Sequence, residues 1–174
     1  MPRFGNYLIR DMLYADVAGV VALEKEIFPS PWGAELFRYE IEHCERTIYL
    51  VAENDAELAG YAGAQVIERE VHVTNLAVLR SRRRSGLGSA LLLEVVRRGL
   101  ERGARWLTLE VRAGNDGGRR FYREFGFEEL GLRLGYYTET GEDAVIMATG
   151  DIRAPEYSEL LERMRMRAAS KEGG

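Results

Sequence analysis

The sequence predicts a single α/β domain with a mixed central β-sheet flanked by helices. Its 174 residues suit one domain, long enough to bury about 70% of the surface of the unfolded chain. Segments with helical and strand periodicity alternate through residues 6–152 without a repeat or a low-complexity linker. Hydrophobic residues make up 46% and charged residues 30% of the chain, which excludes a disordered or fibrous protein.

Local signals set the predicted elements and their order. Residues 15–28 carry apolar side chains at helical spacing, and Pro29 ends this helix because proline lacks an N–H and restricts the residue before it. Gly103 and Gly126 end later helices, and runs of β-branched and aromatic residues predict the strands. The predicted order is strand 6–10, helices 15–28 and 34–42, strands 47–53, 58–67 and 71–78, helix 86–102, strand 106–111, a short helix from 115 or 116 to 125, and strands 127–133 and 144–148.

Beyond residue 152 the pattern predicts a separate helix. Pro155 stands where a helix can begin, and apolar residues recur at helical spacing from Tyr157 to Ala168. We therefore divide the chain into a main domain, 1–152, and a helical tail, 153–174, whose end is expected to fray. The tail either packs on the main domain, the simpler interpretation, or contributes to a dimer, so a monomer or weak dimer is expected.

The cysteine content and the lack of a long apolar segment predict a cytoplasmic protein. Cys44 is a single cysteine, so the chain has no internal disulfide. No uncharged apolar run is long enough to span a membrane, and the N-terminal residues lack the apolar segment of a signal peptide. His43 and His72 have no metal-ligand spacing with Cys44, so no metal is expected.

Two single side chains allow more than one interpretation. Glu24 lies on the apolar stripe of the first helix, where it either marks an exposed edge, which we favour, or points at a site. His72 shares a predicted strand with Leu76 and so could lie near a site there.

A strand, an arginine-rich loop and a long helix follow one another at residues 75–92 and predict a phosphate site. The first turn of a helix has N–H groups without internal partners, and Gly86 and Gly88 leave room for a phosphate to approach them. Four arginines between residues 80 and 84 add charge and paired donors. The rest of the chain has 20 basic residues against 28 acidic ones, so the positive charge is concentrated in this loop. A concentrated positive charge suits a small anionic ligand.

Two widespread phosphate-binding motifs fit this loop less well. The Walker motif requires Lys-Ser/Thr after its last glycine, whereas Ser89 and Ala90 follow Gly88, and the dinucleotide fingerprint requires three glycines. A charged surface loop is the simplest alternative. An RNA-binding module is disfavoured because no aromatic residues interleave with the arginines, so stable nucleic-acid binding is not expected.

The loop also resembles the signature of a known family. Arg83-x-x-Gly86-x-Gly88 is similar to the Arg/Gln-x-x-Gly-x-Gly/Ala motif of the GCN5-related N-acetyltransferases (GNAT). Further motifs follow in the family's order at residues 75–78, 109–115 and 121–127, and those at 28–32 and 136–147 are similar to its bacterial ribosomal-protein-alanine N-acetyltransferase branch. This resemblance covers residues 6–152 and implies the GNAT fold, with acetyl-CoA as co-substrate. The residues it assigns to the cofactor are Leu76, Ala77, Val78, Arg83, Arg84, Ser85, Gly86, Leu87, Gly88, Ser89 and Asn115.

Two residues are candidates for the chemistry of acetyl transfer. Glu110 places a charge near the end of an otherwise apolar strand and matches, in the resemblance, the residue that accepts the proton of the amine. Tyr122 matches the residue that protonates the departing sulfur. Taken alone, Glu110 could be a solvated charge, Tyr122 a core side chain, and Asn115 a helix N-cap without a ligand.

The resemblance implies a protein N-terminus as acceptor, namely the N-terminal alanine of a small-subunit ribosomal protein. Such a terminus is basic, so Glu139, Glu142 and Asp143 are candidate substrate-binding residues, with a polar hairpin as an equal alternative. An acetyltransferase for a small amine, such as a polyamine or an antibiotic, is a second possibility. A non-catalytic acyl-CoA sensor is a third, which the pair of Glu110 and Tyr122 argues against.

Overall fold

An eight-stranded β-sheet forms the centre of the protein in the computed structural model, which describes residues 2–171. The strands are β1 (Arg3–Phe4), β2 (Tyr7–Asp11), β3 (Thr47–Glu53), β4 (Leu58–Ile67), β5 (Glu70–Val78), β6 (Trp106–Arg112), β7 (Glu128–Tyr137) and β8 (Glu142–Ala148). Their order across the sheet is β1-β2-β3-β4-β5-β6-β8-β7. Neighbouring strands run antiparallel except β5 and β6, which are parallel, so the predicted mixed sheet is confirmed.

Helices cover both faces of this sheet. They are α1 (Val17–Ile27), α2 (Ala34–Glu42), α3 (Leu87–Glu101), α4 (Asp116–Glu124) and α5 (Pro155–Ser170). Alternate residues of β3 point to opposite faces, as the period of a strand requires: Leu50 joins the core under α3, whereas Tyr49 and Val51 join the smaller core under α1 and α2. The two cores hold the sheet between layers of helix, which is the predicted α/β architecture.

The C-terminal helix α5 belongs to the larger core. Tyr157, Leu161 and Met164 are buried there, and the Tyr157 hydroxyl donates a 3.0 Å hydrogen bond to the Phe125 carbonyl. A frayed end was expected over residues 170–174. Ser170 is instead the last residue of α5, Lys171 follows it in a turn, and residues 172–174 lie outside the described part of the chain. No helix within residues 2–171 combines the length and the apolarity that crossing a bilayer requires.

The two parallel strands separate partway along their length, and this separation creates the site. Backbone pairing between β5 and β6 ends at Val73 and Leu109, although both strands continue. On its other side β5 is distorted by a β-bulge, since Gly63 pairs with Asn75 and Ala64 with Val73, which leaves Thr74 as the extra residue. The strands therefore diverge, and the backbone of β5 after Val73 faces a gap instead of β6.

The expectation that Glu24 marks an exposed edge of α1 is wrong. Glu24 is 1% exposed, and its carboxylate accepts hydrogen bonds from the Tyr61 hydroxyl and, at 2.8 Å, from the Trp32 backbone N–H. The loop after α1 folds back over this carboxylate, a tertiary contact that helical periodicity does not report. Burial outweighs these two hydrogen bonds and raises the pKa of Glu24 above its usual value.

Candidate active site

A cavity of about 580 Å³ opens where β5 and β6 diverge, and we call it the cofactor cleft. It lies between the end of β5, the loop after it, the first turn of α3 and helix α4, and its volume is typical of small-molecule sites. Ten of the residues singled out from the sequence line it: Leu76, Ala77, Val78, Arg83, Arg84, Gly86, Gly88, Ser89, Asn115 and Tyr122. Residues spread over 47 positions of the chain thus meet at one concave surface.

The first turn of α3 offers backbone donors to this cleft. The Ala90 N–H donates to the Gly86 carbonyl at 3.0 Å, and the Leu87 N–H reaches Ser85 Oγ only at 3.4 Å. Helix geometry leaves the N–H groups of Gly88 and Ser89 without intrahelical acceptors, and both residues line the cleft. These two donors, at the positive end of the helix dipole, can bind a phosphate.

The two glycines of the loop have different reasons to be glycine. A Cβ on Gly88 would lie 3.6 Å from Val78 and otherwise face the cleft, so this position can admit a ligand. Gly86 has a φ of +92°, and its Cβ would lie 2.8 Å from the Ala168 carbonyl oxygen of α5. The sequence argument that Gly86 clears space for phosphate is therefore incomplete, because backbone conformation and packing against α5 also require glycine there.

Arginines surround the mouth of the cleft. Arg82 pairs with Glu57 at 2.6 Å, and the Arg83 Nε reaches the Val78 carbonyl at 3.4 Å. Arg84 has a φ of +65°, which costs a non-glycine residue about 1–2 kcal/mol and is typical of ligand-binding loops. Arg120 and Lys171 add two further positive charges to the lining. The cleft is therefore suited to a polyanionic ligand.

Two of the predicted cofactor residues do not line the cleft with their side chains. Leu87 is fully buried in the core and does not line the cleft. Ser85 donates its hydroxyl to the Arg82 carbonyl at 2.7 Å and thus shapes the loop. Asn115 lines the cleft and is also the N-cap of α4, since its Oδ1 accepts the Gly118 N–H at 2.9 Å. A Cβ on Gly118 would meet this asparagine at 2.6 Å, which explains a glycine in the first turn of a helix.

Glu110 lies on β6, one residue beyond the last backbone pair with β5. Its side chain is only 9% exposed, so it is not a solvated charge. One carboxylate oxygen lies 2.9 Å from Nε2 of His72, and the other lies 3.3 Å from the guanidinium of Arg133 on β7. We call Glu110, His72, Arg133 and the two further contacts of His72, Thr108 and Glu70, the Glu110 cluster.

Tyr122 lines the cleft from α4. Its ring packs edge-on against Phe121 and Phe127, with centroids 5.3 and 5.6 Å away. Burial raises the pKa of its hydroxyl, and the neighbouring Tyr137 raises it further, so the hydroxyl holds its proton at neutral pH. No hydrogen bond to the Tyr122 hydroxyl is formed within residues 2–171, which leaves its proton available to a ligand.

Three acidic residues near the end of the sheet take part in internal contacts. Arg112 pairs with Glu139 at 2.6 Å and with Glu142 at 3.2 Å, and its guanidinium lies 3.8 Å from the ring centroid of Tyr137. Asp143 accepts the Gly135 N–H at 2.8 Å. A backbone contact and Arg112 hold the pKa of Glu139 below its usual value. Glu139 and Glu142 therefore fix the β7–β8 hairpin to β6, and Asp143 bonds within the hairpin. Only the part of their charge that Arg112 leaves uncompensated can act on a substrate.

Several residues of the site were not predicted from the sequence. Arg133 approaches Glu110 from β7, and His72, which the sequence placed only near a possible site, approaches it from β5. Pairing across a sheet cannot be deduced from one strand's periodicity. Arg120 follows Arg119 in α4, where only a helical-wheel projection from Tyr122 could have suggested that it faces the cleft. Lys171 reaches the cleft because α5 packs beside α3, a tertiary contact.

Comparison with known proteins agrees with this geometry. A model of the acetyltransferase (GNAT) family matches residues 17–127. A Bacillus subtilis (strain 168) relative, provisionally named ribosomal protein bS18-alanine N-acetyltransferase, is 37% identical over 139 residues, covering 80% of this chain and 92% of the relative. An Escherichia coli (strain K12) protein of the same name is 33% identical over 135 residues, covering 76% and 90%.

A solved structure agrees with these sequence comparisons. The crystal structure of the ribosomal-protein-S18-alanine N-acetyltransferase from Escherichia coli superposes with a TM-score of 0.76 and 32% identity, covering 86% of this chain and 97% of the other. The family match spans more than half of the chain and includes the arginine-rich loop, the start of α3, Glu110 and Tyr122. This chain therefore belongs to the GNAT family of acetyltransferases and is an acetyl-CoA-dependent N-acetyltransferase.

Proposed function

We propose that this enzyme moves the acetyl group of acetyl-CoA to the free α-amino group of a protein, with the N-terminal alanine of a small-subunit ribosomal protein as acceptor. The observation that carries the proposal is the cofactor cleft, which is lined by Tyr122 and the first turn of α3 and lies at the end of β5, whose pairing with β6 stops one residue before Glu110. The names of the Bacillus and Escherichia relatives support the acceptor.

The cofactor cleft fits coenzyme A. The N–H groups of Gly88 and Ser89 bind the diphosphate, and Arg83, Arg84 and Arg120 compensate its charge. The acetyl thioester then lies beside Leu76–Val78, where β5 no longer pairs with β6. Backbone N–H groups in this stretch are free to donate to the carbonyl oxygen and to stabilise the negative charge that develops on it.

Glu110 and Tyr122 supply the proton transfers. An α-ammonium group has a pKa near 7.7–8.0, so a carboxylate that acts directly or through one water suffices as the base. The neutral amine forms a bond to the carbonyl carbon, and the tetrahedral intermediate expels the sulfur of coenzyme A. Tyr122 protonates this thiolate, because its hydroxyl is protonated and lines the cleft.

The acceptor enters from the side of the β7–β8 hairpin. Tyr137 of this hairpin is partly buried under the guanidinium of Arg112, and burial raises its pKa to about 12. Glu139, Glu142 and Asp143 give this approach its acidic residues, and a basic N-terminal peptide suits it better than an acidic one.

The test is acetyl transfer to a panel of peptides, read by mass. Peptides that begin with alanine and continue with the N-terminal sequence of the organism's own ribosomal protein S18 should gain one acetyl group at the α-amine. The same peptides with a blocked N-terminus are the matched control and should remain unmodified. Transfer to polyamines or aminoglycosides, with none to any peptide, would contradict the proposed acceptor.

A further inference from the structure

The C-terminal helix α5 contributes to the cofactor cleft from beyond the residues that the family model matches. The other residues that line the cleft all fall within 17–127, whereas Lys171 directly follows the last residue of α5, Ser170. The larger core explains the first part of this helix, since Tyr157, Leu161 and Met164 are buried there. It does not explain why the helix continues to the mouth of the cleft.

The end of α5 contacts both walls of the cleft. On the α3 side, the Ala168 carbonyl oxygen lies so close to Gly86 that a Cβ there would approach it to 2.8 Å. On the α4 side, the guanidinium of Arg167 pairs with the carboxylate of Glu124 at 3.0 Å. The Lys171 N–H donates to the Ala168 carbonyl at 3.1 Å, so the backbone of the lysine is fixed by the same turn. These contacts hold Lys171 at the border of the cleft.

The positive charge of Lys171 is available to a ligand. Among residues 2–171 no ion pair involves Lys171, whereas Arg82, at the same mouth, pairs with Glu57 at 2.6 Å. Glu124 is the acidic residue of the described lining, and its carboxylate is paired with Arg167. Lys171 therefore adds a positive charge to the cleft that no described carboxylate compensates.

Coenzyme A carries one phosphate more than the diphosphate that the start of α3 can bind. The proposed function places the diphosphate on the N–H groups of Gly88 and Ser89, beside Arg83 and Arg84. The third phosphate is a monoester on the 3′-oxygen of the ribose, with a charge of about −1.5 to −2 at pH 7. An exposed ammonium on a flexible side chain suits this group, because a point charge can pair with a phosphate that stays in contact with water.

We propose that Lys171 binds the 3′-phosphate of coenzyme A, which makes the end of α5 part of the cofactor site. This inference rests on the proposed function, in which coenzyme A occupies the cofactor cleft. The helix then has two roles. Its first turns complete the core, and its last turn places a cation beside the walls formed by α3 and α4.

The test compares coenzyme A with dephospho-coenzyme A, which lacks only the 3′-phosphate. Lys25 is the other lysine of the chain, is exposed on α1 and does not line the cleft, so Lys25→Ala removes the same charge elsewhere. By calorimetry, Lys171→Ala should bind coenzyme A about three- to tenfold more weakly than the wild type and dephospho-coenzyme A equally well. Lys25→Ala should keep both wild-type affinities, and neither variant should change the unfolding midpoint.

The preference for coenzyme A over dephospho-coenzyme A decides the outcome. If Lys171→Ala keeps the wild-type preference, the inference is overturned. Equal weakening of both ligands would overturn it as well, because Lys171 would then act on another part of the cofactor. A wild type that binds neither ligand would refute the cofactor cleft and this inference together. No acceptor takes part in these measurements, so a failure of the proposed acceptor is detected separately, by the peptide panel.

Chemical modification tests the same contact in the wild-type protein. Reductive methylation, followed by mass spectrometry, reports the reactivity of Lys171 and Lys25 separately. Saturating coenzyme A should slow the methylation of Lys171 more than saturating dephospho-coenzyme A does, and neither ligand should affect Lys25. Equal methylation rates of Lys171 with the two ligands would contradict the proposed contact.

Discussion

The cofactor cleft and the Glu110 cluster lie side by side but are built in opposite ways. The cleft depends on backbone N–H groups and on residues close together in the chain, mainly between Leu76 and Ser89. The Glu110 cluster depends on side chains from three strands, with His72 on β5, Glu110 on β6 and Arg133 on β7. In the cleft the chain offers donors to a ligand, whereas in the cluster each polar group already has a partner.

This difference separates binding from chemistry. Backbone donors at a helix start hold a phosphate in a fixed place and do not change their protonation. Carboxylate, imidazole and hydroxyl groups in contact can pass protons, and they need well-placed partners more than open space. We therefore expect changes in the cluster to affect turnover and changes in the loop to affect affinity.

The largest effect is expected from Glu110→Gln. The amide has the size of the carboxylate but cannot accept the proton of an amine, so kcat should fall on the order of 10²–10³-fold. Calorimetry should show unchanged acetyl-CoA affinity, because Glu110 does not line the cofactor cleft. A variant that keeps wild-type turnover would show that solvent, and not this carboxylate, is the base.

Tyr122→Phe tests the one side chain of the cleft to which we assign chemistry. Without the hydroxyl, the thiolate of coenzyme A must leave unprotonated, and turnover should fall on the order of 10²-fold. The ring contacts with Phe121 and Phe127 remain, so thermal stability and cofactor affinity should change little. Unchanged turnover in a steady-state assay would remove the proposed role of Tyr122 as the acid.

Gly88→Val and Gly86→Val form a matched pair of variants at the proposed phosphate site. At position 88 the new side chain enters the cleft with the nearest contact at 3.6 Å, so acetyl-CoA should bind at least about tenfold more weakly while the fold is kept. At position 86 the positive φ and the 2.8 Å contact with α5 should lower the unfolding midpoint instead. Calorimetry and thermal unfolding of both variants separate the two effects, and normal acetyl-CoA binding by Gly88→Val would refute the proposed phosphate site.

Glu24→Gln is the counterpart of Glu110→Gln at a buried glutamate to which we assign no chemistry, and its effect should be the smallest. A glutamine can accept the Trp32 N–H and donate to Tyr61, so kcat should stay within about twofold of the wild-type value. Because the pKa of Glu24 is raised in the folded state, the wild type loses stability as the pH rises through that pKa, whereas the variant does not. Urea unfolding between about pH 4 and pH 8 should show that the free energy of unfolding of the variant increases relative to that of the wild type as the pH rises. An increase toward low pH would contradict this.

The elements of the fold were largely predictable because their signals are local. The predicted bounds of α2, β3 and β4 are those of the structure, since proline, turn residues and period-two patterns mark their ends. The strand β1 was missed, because Arg3–Phe4 is too short to have a pattern of its own. Glu24 was placed wrongly for a different reason, namely that a loop eight residues later covers it.

The sequence by itself determined the family, the order of elements and the phosphate-binding loop, because a helix start with two glycines creates donors from neighbouring residues alone. Only the tertiary structure decided which groups surround Glu110 and why Gly86 must be glycine. Those properties depend on the divergence of β5 and β6, on the position of β7 and on the docking of α5, which join residues 23 or more positions apart. Local patterns constrain the backbone over a few residues, whereas the surroundings of Glu110 depend on contacts that exist only after the sheet has formed.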